Sequence, residues 1–442
     1  MSSLLAINIT HRSLLSFAIP TILSFIFVNI YFIIDGIFVS NAVGTAGLAA
    51  VNICMPTIGI VFALSAVIST GGNALIAAML GEKRTVEARQ NFTLLVLFSM
   101  IVTSIIAVFC LIFMTPLLYL LGANDTILPL CKAYTLPLFI SIPFVSGGMI
   151  LDSFLVVEGR PKLSMLSAFV GGLINVVLDY IFLFILNMGI EGAAIATGIG
   201  YSVSALIGLT YFGIWRKGTL KFIKPVMRWN VINKSLSNGI SEMVTMLATS
   251  LFIVVLNNTM MRFAGEDGVA AISIIQYVEE LLNAVYSGYS EGVAPLMSYN
   301  FGERNINKMR RIYKYSLHII SCFAIATFLL SFIIAEPVVS AFAENNINVY
   351  EMAVHGFRIF AFGFLFVGFN VYASSLFTAL NNGRISAILS FCHTMIFSIG
   401  TLLILPQIFA LEGVWLANPV AELMSFIMTF FVLKLMSKKY GY

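Results

Sequence analysis

Twelve apolar runs, each long enough to cross a lipid bilayer, leave this chain little freedom of fold class. They lie near residues 14–40, 48–80, 91–120, 128–157, 163–186, 190–215, 235–261, 268–299, 313–342, 350–381, 385–409 and 412–436. About 20 helical residues at 1.5 Å rise span the roughly 30 Å hydrocarbon layer. Several runs exceed 25 residues, so tilted or bent helices are expected. The chain therefore reads as an all-α integral membrane protein with 12 transmembrane helices. Only 10% of its residues are charged, against about 25% in a soluble domain. That excludes a water-soluble enzyme. A net charge of +4 leaves no basic domain for nucleic acid. The five cysteines (Cys54, Cys110, Cys131, Cys322 and Cys392) stand singly in apolar runs, without metal-ligand or disulfide spacing.

Cytoplasmic loops collect Lys and Arg. With the N-terminus inside, all but three of the 24 basic residues fall on inner segments, the exceptions being Lys132, Arg262 and Arg358. Moving a boundary by one helix destroys this alternation, so both termini are expected in the cytoplasm. No segment between runs is long enough for a soluble catalytic domain, and the first run is expected to be retained rather than cleaved as a signal peptide.

The chain also repeats itself. A shift of 221 positions brings GTAGLAAVNI (Gly44 to Ile53) onto GEDGVAAISI (Gly265 to Ile274). It brings STGGNALIAAMLGEK (Ser69 to Lys83) onto SEGVAPLMSYNFGER (Ser290 to Arg304), and IEGAAIAT (Ile190 to Thr197) onto LEGVWLAN (Leu411 to Asn418). Pro116 meets Pro337, whereas the GR pairs at Gly159 and Gly383 match only at a shift of 224. Six spans per half is an even number, so both halves enter the membrane the same way. The expected architecture is two six-helix bundles in a parallel internal repeat, related by a pseudo-two-fold axis along the membrane normal, a build that places transport sites near the midplane. The expected division is 1–215 for the N-terminal lobe, 216–234 for a basic cytoplasmic linker and 235–442 for the C-terminal lobe.

Acidic residues lie inside the spans with almost no basic ones: Asp35, Asp152, Asp179, Glu242, Glu279, Glu280, Glu291 and Glu422. An ionised side chain at mid-membrane costs at least about 2.5–3.5 kcal/mol. Protons, metal cations or organic cations are the natural neutralising partners. Counting along spans one, five and six puts Asp35, Asp179 and Thr197 at similar depth, roughly 7–11 Å below the outer boundary. Asn175 shares the helix face of Asp179 four residues away. These four side chains form one expected polar cluster, able to hold a proton or to offer oxygen ligands to Na⁺. Pro20, on the span that carries Asp35, removes a helical hydrogen bond and kinks the helix.

In the eighth span Gln276, Glu280, Asn283, Ser287 and Glu291 recur on one helical face, with Glu279 beside it. Such a stripe cannot face lipid, so it lines a water-filled cavity or a packed interface. As a cavity wall, Gln276, Glu279, Glu280 and Asn283 would attract a cationic substrate. The histidines His11, His318, His355 and His393 are scattered over different helices and are expected to be packing or interfacial residues.

LGEKR at Leu80 to Arg84 with FGER at Phe301 to Arg304, EGRPK at Glu158 to Lys162 and PLMSYNFG at Pro295 to Gly302, set in two six-span halves, resemble the multidrug and toxic compound extrusion (MATE) family. The resemblance covers essentially the whole chain. It implies an efflux antiporter of V-shaped bundle pairs that exchanges organic cations or other amphiphiles for H⁺ or Na⁺, without a cofactor and without enzymatic activity. Asp35, Asn175, Asp179 and Thr197 match the ion-site pattern of the DinF-like branch, and Pro20 its bending proline. The acids that the NorM-like branch carries on spans seven and ten have no counterpart in residues 243–261 and 359–383. The implied partners are small cationic or amphiphilic drugs and the lipid bilayer, with a monomer working in the plasma (inner) membrane. A lipid-linked oligosaccharide flippase of the same superfamily is the alternative, and the acid-rich interior argues against it. A membrane-embedded enzyme lacks its nucleophile or metal cluster, and a passive channel has little use for buried titratable pairs.

Overall fold

The protein is described by a computed structural model over residues 5–216, 218–343 and 346–442, with the side chains at 45 and 48 outside the description. Lys217 of the basic stretch therefore lies outside the described residues. Every long element among them is helical: α1 (His11–Gly44), α2 (Ala49–Gly81), α3 (Thr85–Ile112), α4 (Leu128–Val157), α5 (Pro161–Ile185), α6 (Ile190–Trp215), α7 (229–264), α8 (266–302), α9 (Ile306–Ala343), α10 (Ile347–Ala379), α11 (383–409) and α12 (411–440). Two of the ten apolar stretches, Trp229–Gly302 and Gly383–Tyr440, contain a backbone break, at Gly265 and Ala410, so twelve spans result.

The repeat is visible in backbone angles. Gly44 (φ 77°, ψ −168°) and Gly265 (φ 62°, ψ −153°) break their rods in the same way, and Gly189 (φ 63°, ψ −151°) and Ala410 (φ 49°, ψ −130°) form a second such pair, each 221 residues apart. The turns after α2 and α8 agree bond for bond. Lys83 N–H donates to Leu80 and Arg84 N–H to Met79, as Arg304 does to Phe301 and Asn305 to Asn300. The turn after α4 corrects the register expected from the GR pairs. Gly159 and Arg160 donate to Val156 and Leu155, and their counterparts Asn381 and Asn382 donate to Thr378 and Phe377. The local shift is 222, not 224, because Asn381 (φ 55°) takes the left-handed position held by Gly159 (φ 83°). Asparagine is among the few residues that tolerate this conformation.

The chain divides into two compact units. One is built on Leu23–Gly239, the other on Ile7–Ile22 together with Ile240–Tyr442. In the first, α4 packs against α6 and α3, and α5 against α6. In the second, α12 packs against α11 and α10 against α9.

Helix α3 shows how these helices meet lipid and protein. Leu97, Ile101, Ile105, Val108 and Ile112 form an exposed stripe at steps of 4, 4, 3 and 4, while Ser99, Thr103, Ala107 and Cys110 are buried. Lipid tails give no hydrophobic reward for burying leucine, so close packing and interhelical hydrogen bonds hold the inner face. Ser99 Oγ lies 2.7 Å from Ser146 Oγ, to which Ser65 Oγ donates at 2.9 Å, joining three helices through hydroxyls.

The motif EGRPK also acquires a reason. Glu158, buried at the end of α4, accepts N–H groups of Thr219 at 2.5 Å and Leu220 at 2.7 Å, and Arg89 Nε donates to the Thr219 carbonyl at 2.6 Å. The segment after α6 is thereby fastened to its own unit. Pro161 then opens α5 at a position where no N–H is needed.

Candidate functional site

Sequence geometry sets up the first cluster through glycine. A Cβ on Gly200 of α6 would stand 2.9 Å from the Gly171 carbonyl oxygen and 2.9 Å from Asn175 Cβ of α5. Only the bare backbone lets the two helices approach this closely, and that approach brings Asn175 Nδ2 within 3.4 Å of Thr197 Oγ1, to which it donates. Tyr31 of α1 lies across Gly172, where an added Cβ would be 3.1 Å from its ring. Asp35, one turn further along α1, then faces Asp179 of α5, and each carboxyl is the other's electrostatic neighbour.

The four residues expected from depth counting are thus brought together within one unit. Asp179 is fully buried and Asn175 is 3% exposed. Asp35 Oδ1, both carboxyl oxygens of Asp179 and Asn175 Oδ1 are buried without a hydrogen bond of ordinary geometry among the described residues. Among those residues no lysine or arginine is a charge partner of either acid. Four acceptor oxygens so poorly satisfied suit a bound cation or proton, since buried acceptors left unpaired cost about 1–3 kcal/mol each.

Three tyrosines border the cluster and were not singled out from sequence. Tyr31 Oη donates to Tyr201 Oη at 3.0 Å. Both lie in the electrostatic neighbourhood of Asp35, and buried Tyr134 of α4 neighbours Asp35 and Asp179. A tyrosine within an apolar span looks like any other interior aromatic, so only the fold reveals this border. Just past Asp179, residues Ile181–Ile185 form a π-helical turn, a widening often found at functional positions.

Pro20 lies in the Ile7–Ile22 part of α1, within the second unit. There Ala18 and Ile22 rest directly on Gly292 and Gly288 of α8. The α8 stripe divides. Glu279 is half-buried, with Glu422 and Glu280 as charge neighbours, whereas Glu280 is exposed. Gln276 and Asn283 are half-buried, and Asn283 Oδ1 has no hydrogen-bond partner among the described residues. Glu291 neighbours Glu242. Asp152 is half-buried beside Ser167 and Ser204.

His393 corrects the expectation that each histidine is a packing or interfacial residue. Its Nε2 lies 2.7 Å from Glu422 Oε1, so one acid in the second unit does have a basic partner. His355 likewise meets Glu412 at 2.9 Å, at an exposed position.

A duplicated, twelve-span body, helical in its long elements among the described residues, with the carboxyls of Asp35 and Asp179 facing each other inside one unit, defines a multi-pass membrane protein of transporter architecture. The chain belongs to the MatE family, whose profile matches residues 20–181 and again 242–403, once in each half. It is 23% identical over 419 residues to the multidrug export protein MepA of Staphylococcus saprophyticus, covering 93% of this chain and 90% of that one. It shares its fold with a MATE protein crystallised in complex with MaL6, at TM-score 0.94 and 22% identity over 99% of this chain and 98% of that one. An outward-facing multidrug resistance MATE transporter of the MOP superfamily superposes at TM-score 0.91 and 22% identity, with 99% and 98% coverage.

Proposed function

We propose that this chain is a multidrug efflux antiporter of the DinF-like branch. It exports organic cations and other amphiphilic compounds by alternating access in exchange for H⁺ or Na⁺, as a monomer in the plasma (inner) membrane with both termini cytoplasmic. The observation that carries the reading is the set of four buried oxygens on Asp35, Asp179 and Asn175 that lack a hydrogen bond of ordinary geometry, with no lysine or arginine partner, among the described residues. The export activity named for its MepA relatives agrees with it.

The cluster supplies the coupling chemistry. Two facing carboxylates in a low-dielectric interior repel unless a cation sits between them. A proton shared by Asp35 and Asp179 removes one charge, and a Na⁺ ion would draw on the same oxygens with Asn175 Oδ1 and Thr197 Oγ1. Loading and unloading this site changes which conformation of α1 is favoured, because Asp35 and Pro20 share that helix. Proline cannot supply the helical N–H and so leaves the helix easier to bend. The half-buried Gln276, Glu279 and Asn283 and the exposed Glu280 would receive a cationic substrate.

The test is efflux from proteoliposomes loaded with a fluorescent organic cation, under a Na⁺ gradient and a pH gradient imposed separately. One gradient is expected to drive efflux. Asp35→Asn and Asp179→Asn each reduce it by at least roughly tenfold, equivalent to about 1.4 kcal/mol, while inserting normally. Full activity in either variant removes that residue from the site.

A further inference from the structure

The second unit holds a buried acid–base pair that the cluster around Asp35 does not use. His393 Nε2 lies 2.7 Å from Glu422 Oε1, and Asn370 Nδ2 donates to Glu422 Oε2 at 2.8 Å and to the Glu422 carbonyl at 3.1 Å. The Glu422 side chain is 6% exposed and the imidazole 23%. His393 stands ten residues into α11 and Glu422 twelve residues past the break at Ala410. At 1.5 Å per residue both are about 15–18 Å from their helix ends, at mid-span.

The groups facing the pair are few. Glu279 of α8 is a charge neighbour of Glu422, and so is Tyr286, whose hydroxyl is engaged by Thr327 at 2.6 Å and the Phe364 carbonyl at 3.1 Å. Glu422 is the charge partner of His393, and no lysine or arginine accompanies it among the described residues. Two carboxyls and one imidazole leave the unprotonated set with two negative charges in a low-dielectric interior. One proton on the imidazole makes His393 and Glu422 a neutral pair, with Nε2–H donating to Oε1. Asn370, 4% exposed, leaves its Oδ1 buried without a hydrogen-bond partner among the described residues, so an acceptor stays open beside the pair. The local backbone is also specialised. Residues Cys392–Ser398 form a π-helical turn, and Ser398 Oγ donates to the His393 carbonyl at 2.9 Å. Ionisable residues at this depth are costly, which makes them functional positions by default.

We propose that His393, Glu422 and Glu279 form a second proton-binding site, in the C-terminal half, that takes up and releases one proton during transport. The transport part rests on the antiport function proposed above; the proton-binding part stands on the geometry alone. The site is chemically distinct from the first. The internal repeat places Glu422 opposite Tyr201 and His393 opposite Gly171 or Gly172, so it is not a copy of the aspartate cluster.

The experiment uses the full chain in lipid nanodiscs with ¹⁵N-labelled histidine, its ring signals followed from about pH 5 to pH 9 around the ordinary imidazole range. The His393 signal is assigned by its loss in His393→Gln, a substitution that retains a hydrogen-bond donor. The ring is expected to titrate, and Glu422→Gln is expected to move its midpoint. In proteoliposomes His393→Gln is expected to slow pH-gradient-driven efflux of a fluorescent organic cation about tenfold. A ring held in one state throughout overturns the site. A titrating ring with unchanged efflux in His393→Gln overturns its part in transport. If the parent moves no cation under either gradient, the antiport reading and the transport part fall together, and the ring titration still decides whether the site binds a proton. Asp35→Asn is expected to abolish efflux and leave the ring titration intact.

Discussion

The contact of α5 with α6 and that of α11 with α12 are built on one repeated backbone and carry different polar side chains. In the first, Gly171 and Gly200 let two helices touch, and Asp179, Asn175 and Thr197 point into the space that α1 closes with Asp35. In the second, the position of Gly200 is held by Ala421 and that of Gly171 or Gly172 by His393, which reaches Glu422. The positions matching Asp35 and Asp179 carry Leu256 and either Gly400 or Thr401. Duplication preserved the turns to the individual hydrogen bond and left the polar interior free to diverge. The lesson is that backbone symmetry does not predict equivalent ion sites.

The two helix pairs are expected to differ most in how closely their backbones approach. Gly200→Ala forces a methyl to 2.9 Å from both the Gly171 carbonyl and Asn175. Overpacking of this kind costs about 1–3 kcal/mol. The substitution is expected to lower the thermal midpoint in detergent and to reduce efflux by separating Asn175 from Thr197. Ala421→Gly, its counterpart, is expected to leave efflux unchanged. Equal effects of the two would show that the helix pairs are spaced alike.

A smaller effect sharpens the repeat itself. Gly189 and Ala410 occupy one left-handed break, with nothing within 4 Å of an added Cβ at Gly189, so only backbone strain distinguishes them. Ala410→Gly is expected to raise stability and Gly189→Ala to lower it, each by about 1 kcal/mol, read from denaturation midpoints. Changes of the same sign would contradict the shared conformation.

The smallest effect lies at the tyrosine border. Tyr31→Phe removes the donor to Tyr201 and is expected to cost about 0.5 kcal/mol, the lower end for a net hydrogen bond. An unchanged midpoint would show that the hydroxyl pair contributes nothing.

Much of this was legible in the sequence for identifiable reasons. Spans, count and repeat are written in hydropathy and in motifs such as LGEKR and FGER. The cluster of Asp35, Asn175, Asp179 and Thr197 was reached because depth follows from counting residues and helix face from a spacing of four. Helix rotation and pairing across distant spans follow from neither. That is why His393, 29 residues from Glu422 and on a different helix, read as a packing residue. The register after α4 was misplaced because a glycine was sought where the second half uses Asn381. Tyr31, Tyr134 and Tyr201 gave no signal at all, since a hydroxyl at the tip of an aromatic ring is invisible to apolar periodicity.

Counterflow separates coupling from passage most directly. Proteoliposomes carrying Asp35→Asn or Asp179→Asn are expected to exchange labelled for unlabelled organic cation across the bilayer at equilibrium while losing all uphill transport driven by either ion gradient. Uphill transport at the parent rate in both variants would show that these carboxylates do not carry the exchanged cation.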